Sequence, residues 1–228
     1  MISPLLPEAP RAEPPRPKVP HAKALHPGAL YAEALDGALV EVESADGTTR
    51  PLESWRWLDG AEGDEAMLAR CADPTLDVGS GPGRLTVALT RRGVRALGID
   101  VAPRAVRLTR LAGGRALCRD VFGHVPGAGR WGTVLLADGN IGIGGDPDAL
   151  LRRVRDLLRP GGEVVAELDP PGTATRALRV RLRREGRVTG WFAWARVGVS
   201  GIVPLARSAG FGRTEVWTEA GRWFSVLR

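Results

Sequence analysis

Short apolar runs alternate with longer stretches in which apolar positions recur at helical spacing, from about residue 73 to the end of the chain. This alternation of strand and helix predicts a parallel β-sheet with helices on both faces. In chain order, the predicted strands are residues 76–78, 95–100, 115–118, 131–137, 163–168, 213–218 and 222–227. The run at 131–137 is largely apolar, which is typical of a strand that is buried on both faces.

The helix after the fourth strand has the clearest start and the clearest apolar face. Asp146 is suited to cap its N-terminus, and Pro147 is suited to its first position. The apolar face comprises Leu150, Leu151, Val154, Leu157 and Leu158. The side chains predicted to be solvated on the opposite face are Arg152, Arg153, Arg155 and Arg159.

Two parts of the chain do not follow this alternation. Residues 178–183 alternate apolar side chains with arginines, and together with residues 188–194 they predict a hairpin inserted after the fifth strand. Residues 1–20 are rich in proline and predict a disordered tail. Residues 21–72 predict a small N-terminal cap, which leaves residues 73–228 as the core domain.

A glycine-rich loop follows the first predicted strand, in the segment Leu76-Asp77-Val78-Gly79-Ser80-Gly81-Pro82-Gly83-Arg84. A chain that turns from a strand directly into a helix needs backbone angles and close approaches that a Cβ atom would obstruct. The helix that follows directs its unpaired N–H groups and its positive dipole end toward the loop. The sequence therefore predicts a nucleotide-type cofactor site at this loop.

Charge is distributed unevenly along the 228 residues. Residues 1–72 carry a net charge of −5, whereas residues 73–228 carry +11. A basic body is a feature of many nucleic-acid-binding proteins. However, 30 of the 32 cationic side chains are arginines in a chain rich in alanine and glycine, for which a GC-rich coding sequence is a plainer explanation. Nucleic acid thus stays a possible partner that is not favoured.

The cysteines and the N-terminus narrow the class of protein further. Cys71 and Cys118 provide neither a disulfide framework nor the spacing of metal ligands. No run of about 18 apolar residues occurs, and the N-terminus lacks the basic and apolar regions of a signal peptide. We therefore expect a cytoplasmic protein with no metal site.

The spacing of the glycines distinguishes between cofactors. A dinucleotide fingerprint has glycine at the first, third and sixth positions of the loop, but Arg84 stands at the sixth. Glycines at the first, third and fifth positions, preceded by Asp77, closely resemble motif I of the class I S-adenosylmethionine-dependent methyltransferases. The resemblance covers roughly residues 73–228.

This resemblance implies a Rossmann-like fold with seven mostly parallel strands and an antiparallel last strand. It implies that Asp100, 23 residues after Asp77, accepts hydrogen bonds from the ribose hydroxyls of the methyl donor. It also implies that Asp120 contacts the adenine amine and that Val121 offers its backbone N–H. The positions implied to contact S-adenosylmethionine are Asp77, Gly79, Ser80, Gly81, Gly83, Asp100, Val101, Asp120, Val121 and Asp138.

The resemblance also implies that donor and acceptor meet at the loop after the fourth strand. Asp138 and Asn140 are the catalytic candidates there, for contacts with the amino group of the donor and with the acceptor. Asp138 is able to accept a proton from an alcohol or amine if burial raises its pKa.

The segment Asp138-Gly139-Asn140-Ile141 stands where many DNA and glutamine N-methyltransferases of this family have an Asn-Pro-Pro-Tyr-like tetrad. This difference favours transfer of a methyl group to an oxygen or nitrogen atom of a small molecule. Three alternatives stay open: an RNA methyltransferase that uses the basic core, a nicotinamide-dependent oxidoreductase, and a non-catalytic donor-binding protein. The oligomeric state stays open as well.

Overall fold

A computed structural model describes residues 24–228, which form six α-helices, two short 3₁₀ helices and two β-sheets. The α-helices are α1 (Pro27–Leu35), α2 (Asp64–Leu68), α3 (Arg84–Arg91), α4 (Pro103–Leu111), α5 (Pro147–Leu157) and α6 (Val199–Ser208). The strands are β1 (Glu41–Ser44), β2 (Thr49–Pro51), β3 (Thr75–Val78), β4 (Ala96–Asp100), β5 (Ala116–Cys118), β6 (Trp131–Leu136), β7 (Leu158–Leu168), β8 (Arg176–Arg184), β9 (Arg187–Val188), β10 (Phe192–Arg196), β11 (Thr214–Glu219) and β12 (Arg222–Leu227). The tail predicted at residues 1–20 lies outside the described residues.

The larger sheet has the strand order β11–β12–β7–β6–β3–β4–β5. The five strands from β7 to β5 in this order are mutually parallel, whereas β12 is antiparallel to both of its neighbours. The predicted α/β, Rossmann-like class with a mostly parallel sheet is confirmed. Because parallel strands end at the same edge, the loops after β3, β4, β5 and β6 meet at one edge of this sheet.

Helices cover both faces of the larger sheet. On one face, α5 and α6 bury Leu150, Leu151 and Ile202 against the strands. On the other face, α2 and α3 bury Met67 and Leu89 against different strand side chains. Within residues 24–228, no helix combines the length and the apolar character that crossing a bilayer requires.

Helix α5 has the predicted start and buried face, with two differences. The Asp146 side chain accepts a hydrogen bond of 3.0 Å from Ala149 N, which confirms the predicted N-cap. Leu158 belongs to β7 rather than to the helix, because it pairs with Trp131 of β6. The prediction that Arg153 is solvated was wrong, since the residue is half-buried and its guanidinium donates to backbone carbonyls of the loop after β5.

The smaller sheet joins the N-terminal strands to the inserted ones, in the order β2–β1–β8–β10 with β9 paired to β8. Strand β1 is antiparallel to β8, so that Glu43 lies opposite Arg181 and forms an ion pair with it at 2.8 Å. Glu33 of α1 pairs with both Arg184 and Arg187. Acidic residues of the N-terminal segment therefore neutralise arginines of the insertion. The domain boundary between residues 72 and 73 stays a prediction.

Helix α1 is an element that the sequence pattern did not predict. His26 caps it by accepting a hydrogen bond of 3.1 Å from Gly28 N, and Pro27 occupies its first position. Leu30 and Leu35 are buried beneath it, the first with β1 and β8 and the second with α4. The helix therefore connects the smaller sheet to α4, beside the end of β4.

Candidate functional site

The loop between β3 and α3 contains three glycines with positive φ, which are +70° at Gly79, +55° at Gly81 and +94° at Gly83. Backbone angles in this region are unfavourable for residues with a Cβ atom. Gly83 has a packing role as well, because a Cβ atom there would lie 2.5 Å from the Cγ2 atom of Thr109 in α4. The third glycine of the motif thus allows α4 to pack against the loop.

The first backbone N–H groups of this loop are bound within the protein. Gly79 N and Ser80 N both donate to the carbonyl of Ile99, at 2.8 and 3.1 Å. Gly81 N donates to the carboxylate of Asp100 at 3.0 Å. The Ser80 hydroxyl is buried and faces the sheet, where it would lie 2.6 Å from a Cβ atom at Gly98. The hydrogen bonds therefore hold the loop against the end of β4.

Asp100 ends β4 and is fixed by backbone amides. Its Oδ2 atom accepts from Gly81 N, and its Oδ1 atom accepts from Ala102 N at 2.8 Å. Burial raises the pKa of Asp100, while these N–H donors oppose the rise. The next side chain, Val101, is 68% exposed, which places an uncovered apolar group beside a rigid carboxylate.

Asp77 lies inside the sheet rather than at its edge. Its Oδ2 atom accepts a hydrogen bond of 2.6 Å from the Thr86 hydroxyl of α3, and its side chain is buried. Burial raises the pKa of Asp77 to about 6. The geometry therefore makes Asp77 a support for the first turn of α3, with no exposed surface at the edge.

Asp138 follows β6 and belongs to a cluster of five charged side chains. Its carboxylate lies 2.6 Å from Arg84 Nη2 and 3.6 Å from Arg222 Nη2. The same two arginines pair with Asp64, and Arg222 also pairs with Glu167 at 2.9 Å. We call these five residues the charge cluster. It holds three acids against two arginines.

The backbone and the protonation of Asp138 are both unusual. Its φ is +51°, a value that is uncommon for a residue other than glycine, and its N–H donates to Glu167 at 2.7 Å. Burial raises the pKa of Asp138, while the positive charge of Arg84 opposes the rise. Proton acceptance at Asp138 therefore depends on how strongly the arginines hold its negative charge.

Asn140 begins a 3₁₀ helix, Asn140–Gly145, and reaches back to the glycine loop. Its Nδ2 atom donates to the carbonyls of Val78 and Gly79, at 3.0 Å each. A Cβ atom at Gly79 would lie 2.7 Å from this nitrogen. The absence of a side chain at Gly79 therefore makes room for Asn140.

Tyr31 of α1 also lies over the glycine loop, and the sequence analysis assigned it no role. Its hydroxyl is 3.5 Å from the position that a Cβ atom would take at Gly81. Its ring packs on Trp57, with the ring centroids 5.9 Å apart. Burial raises the pKa of Tyr31 well above its ordinary value, and the negative charges of Asp100 and Asp138 raise it further. The only sequence signal was that the chain contains a single tyrosine.

The predicted adenine contacts lie after β5, on the same edge. Asp120 is exposed, and its Oδ1 atom accepts from Phe122 N at 2.9 Å. Val121 is buried, and its carbonyl accepts from Arg153 Nε at 2.8 Å. The Phe122 ring is 43% exposed and lies against Gly144, in the loop after β6. The structure thus brings the ends of β3 to β6 together, and the adenine contacts stay a prediction.

Comparisons with known proteins place this arrangement in a family. The family model of a methyltransferase domain matches residues 75–162, the segment from β3 to β7 that carries the loops described above. Residues 75–162 therefore belong to a class I S-adenosylmethionine-dependent methyltransferase domain. This methyltransferase is an enzyme that uses S-adenosylmethionine as its cofactor. No curated protein matches the chain.

Several solved methyltransferase structures share the fold of this methyltransferase. A SAM-dependent methyltransferase from Bacteroides fragilis, in complex with S-adenosyl-L-homocysteine, has 21% identity and a TM-score of 0.73, over 88% of this chain and 93% of that chain. The sugar N-methyltransferase KedS8 from Streptoalloteichus sp ATCC 53650 has 17% identity and a TM-score of 0.57, over 75% and 88%. The 1,6-didemethyltoxoflavin-N1-methyltransferase of Burkholderia thailandensis has 20% identity and a TM-score of 0.51, over 72% and 73%.

Proposed function

We propose that this methyltransferase transfers a methyl group from S-adenosylmethionine to an oxygen or nitrogen atom of a small molecule. One observation carries the proposal: the glycine loop, Asp100, and the pair Asp138 and Asn140 lie together at the edge where β3, β4 and β6 end. The ends of parallel strands are where α/β proteins of this architecture bind their ligands.

Asp100 fits the role of ribose acceptor. Each of its carboxylate oxygens accepts one backbone N–H, at 3.0 and 2.8 Å, and a carboxylate oxygen has a second lone pair for another donor. The backbone bonds hold the carboxylate in one orientation before the ligand arrives. Asp100 would therefore receive the two ribose hydroxyls with little loss of side-chain freedom.

Apolar and polar groups around Asp100 fit an adenine ring. Val101 and Phe122 are exposed at the ends of neighbouring strands, where a ring would cover them. Asp120 is exposed beside them and would accept from the exocyclic amine, while the Val121 N–H would donate to a ring nitrogen. Gly79 and Gly81 keep the backbone of the loop free of side chains of its own, as the rest of the donor requires.

When bound, S-adenosylmethionine supplies a methyl group on a sulfonium sulfur, which a nucleophile attacks in line. The protein has to position the acceptor and exclude water. Asp138 and Asn140 would orient the amino group of the donor and the acceptor. Asp138 would also hold the proton that an alcohol or amine loses, since its pKa is raised by burial.

Internal pairing of charge supports a small-molecule acceptor over RNA. The smaller sheet carries an arginine-rich strand, but several of its arginines form ion pairs with acids of α1 and β1. These arginines are therefore less available for phosphate groups. Two of the structural neighbours, a sugar N-methyltransferase and a 1,6-didemethyltoxoflavin-N1-methyltransferase, agree with this choice.

Labelled methyl donor, incubated with the protein and with separate small-molecule, RNA and protein fractions of a lysate from its source, tests the proposal. Label is expected in the small-molecule fraction. Label in RNA, with a steep dependence on salt, would favour the RNA methyltransferase instead. Donor binding with no label in any fraction would favour a non-catalytic protein, and saturable NADH binding without S-adenosylmethionine binding would favour an oxidoreductase.

A further inference from the structure

The Asn140 side chain reaches from the loop after β6 to the glycine loop. Its amide nitrogen donates to two carbonyls at the end of β3, Val78 O and Gly79 O, both at 3.0 Å. The same nitrogen lies 2.7 Å from the position that a Cβ atom would take at Gly79. The side-chain N–H₂ group of Asn140 thus covers the backbone that the first glycine of the loop leaves without a side chain.

A ligand with an ammonium group needs acceptors of this kind. An ammonium has three N–H donors and no acceptor, so it binds where carbonyl or carboxylate oxygens converge. Val78 O and Gly79 O converge at Asn140 Nδ2, and the carboxylate of Asp138 belongs to the same loop. The adenine amine is expected at the end of β5, so the methionyl ammonium is the N–H donor of S-adenosylmethionine that an amide N–H₂ would replace at this loop.

We propose that Asn140 is a positioning residue that occupies the ammonium subsite until the methionyl ammonium of the donor displaces it. The proposal rests on the proposed function, since it assumes that the donor binds at this loop. Until the donor binds, the Asn140 amide keeps both carbonyls hydrogen-bonded, which avoids the cost of unpaired buried carbonyls. Displaced from them, the amide is free to turn toward the acceptor.

The position of Asn140 in the chain gives the displacement a route to the acceptor side. The 3₁₀ helix that it begins packs on β10 so closely that a Cβ atom at Gly142 would overlap the carbonyl of Ala195. A Cβ atom at Gly145 would lie 2.8 Å from the Cβ atom of Ala193 and 3.2 Å from the backbone of Trp194. A shift of Asn140 would therefore reach the inserted strand that faces this loop. Donor binding would then prepare the acceptor side before the acceptor enters.

Ligands that differ in the ammonium group provide the first test, by calorimetry on the Asn140→Ala variant. S-adenosylhomocysteine and its decarboxylated analogue both carry the ammonium, whereas 5′-methylthioadenosine lacks it. Removal of the internal competitor is expected to tighten the first two by about three- to tenfold. The affinity for 5′-methylthioadenosine is expected to stay within about twofold of the parent value.

The unaltered protein provides a second test, which does not depend on how the variant folds. Asn140 is the only asparagine in the chain and there is no glutamine, so the untagged protein has a single side-chain amide N–H₂ pair in its ¹⁵N–¹H spectrum. This pair is expected to shift on addition of S-adenosylhomocysteine or of its decarboxylated analogue. Addition of 5′-methylthioadenosine is expected to leave it in place.

Each contrary result has a distinct meaning. If Asn140→Ala weakens all three ligands alike, or if all three move the side-chain amide alike, Asn140 is a structural clip and the proposal is overturned. An amide that does not move with any ligand that the parent protein binds also overturns it. Failure of the parent to bind S-adenosylhomocysteine at all would instead overturn the proposed function.

Discussion

Asp100 at the end of β4 and Asp138 just after β6 lie at the same sheet edge, on either side of β3, yet the protein holds them in different ways. Two backbone amides hold Asp100, one from the glycine loop and the other from the residue two positions further along the chain. Two arginines hold Asp138, one from the helix after the glycine loop and the other from the last strand. The first arrangement is local and rigid, whereas the second depends on side chains that are far apart in the chain. The comparison distinguishes Asp100, which is held ready to accept hydrogen bonds from a ligand, from Asp138, whose pKa depends on the neighbouring arginines.

The largest expected effect is on stability, in the variant Arg222→Met. Arg222 is almost fully buried, and its removal would leave Asp64, Glu167 and Asp138 with Arg84 alone. Removing one member of a buried ion-pair group typically costs about 3–5 kcal/mol. Urea unfolding at neutral pH is expected to show a loss of this size.

The control is Arg196→Met, which removes a more exposed ion pair with Asp169. Its expected cost is below about 1 kcal/mol. Equal losses in the two variants would mean that the charge cluster has no special weight, and Asp138 would then differ little from an ordinary surface acid.

The next largest effect is expected on ligand affinity, in the variant Asp100→Ala. Two hydrogen bonds to a charged acceptor would be lost, which predicts a fall in S-adenosylhomocysteine affinity of about 100-fold or more by calorimetry. The matched control, Asp36→Ala, removes an exposed carboxylate that pairs with Arg104 on the first turn of α4. An Asp100→Ala variant that bound as tightly as the parent would remove the ribose role.

A smaller effect is expected at Asp77, which lies inside the sheet and whose hydrogen-bond partner is the Thr86 hydroxyl rather than an amide or an arginine. Its pKa of about 6 lies above the ordinary 3.8, so the folded state binds the proton more tightly than the unfolded state does. The stabilisation that results is fully present below about pH 4 and is lost as the pH rises through 6. Between pH 5 and pH 7.5 the protein should lose about 1 kcal/mol from this group.

Asp77→Asn removes this titration while keeping the shape of the side chain. The free energy of unfolding of the variant, relative to the parent, should therefore rise by about 1 kcal/mol between pH 5 and pH 7.5. Parallel pH profiles for the two proteins would show that the Asp77 carboxyl keeps its ordinary pKa in the folded state.

The glycine loop and Asp100 could be predicted from the sequence, because short segments with recognisable spacing form this part of the site. The glycine spacing, the strand ends and the distance from Asp77 to Asp100 are properties of short segments, and the strand order brings them to one edge. The cap of α5 followed for the same reason, since Asp146 and Pro147 act within one helical turn.

The other half could not be predicted, because its contacts join distant segments. Arg222 and Asp64 are 158 positions apart, and nothing in either local sequence indicates the other. Tyr31 lies in the predicted N-terminal cap, where no local motif assigned it a role, and its place over Gly81 depends on the packing of α1 between two layers. In the sequence, Arg84 served only to argue against a dinucleotide site, because it replaces the glycine expected there. Its pairing with Asp64 and Asp138 in the charge cluster was not predicted.

A crystal structure of the protein with S-adenosylhomocysteine tests the central claim most directly. The account predicts the ribose hydroxyls within about 3 Å of the Asp100 carboxylate and the ammonium at the carbonyls of Val78 and Gly79, with the Asn140 amide moved away. A ligand bound at this edge with Asn140 still in place would contradict the inference about Asn140. A ligand bound elsewhere, with no contact to Asp100, would contradict the account of the site as a whole.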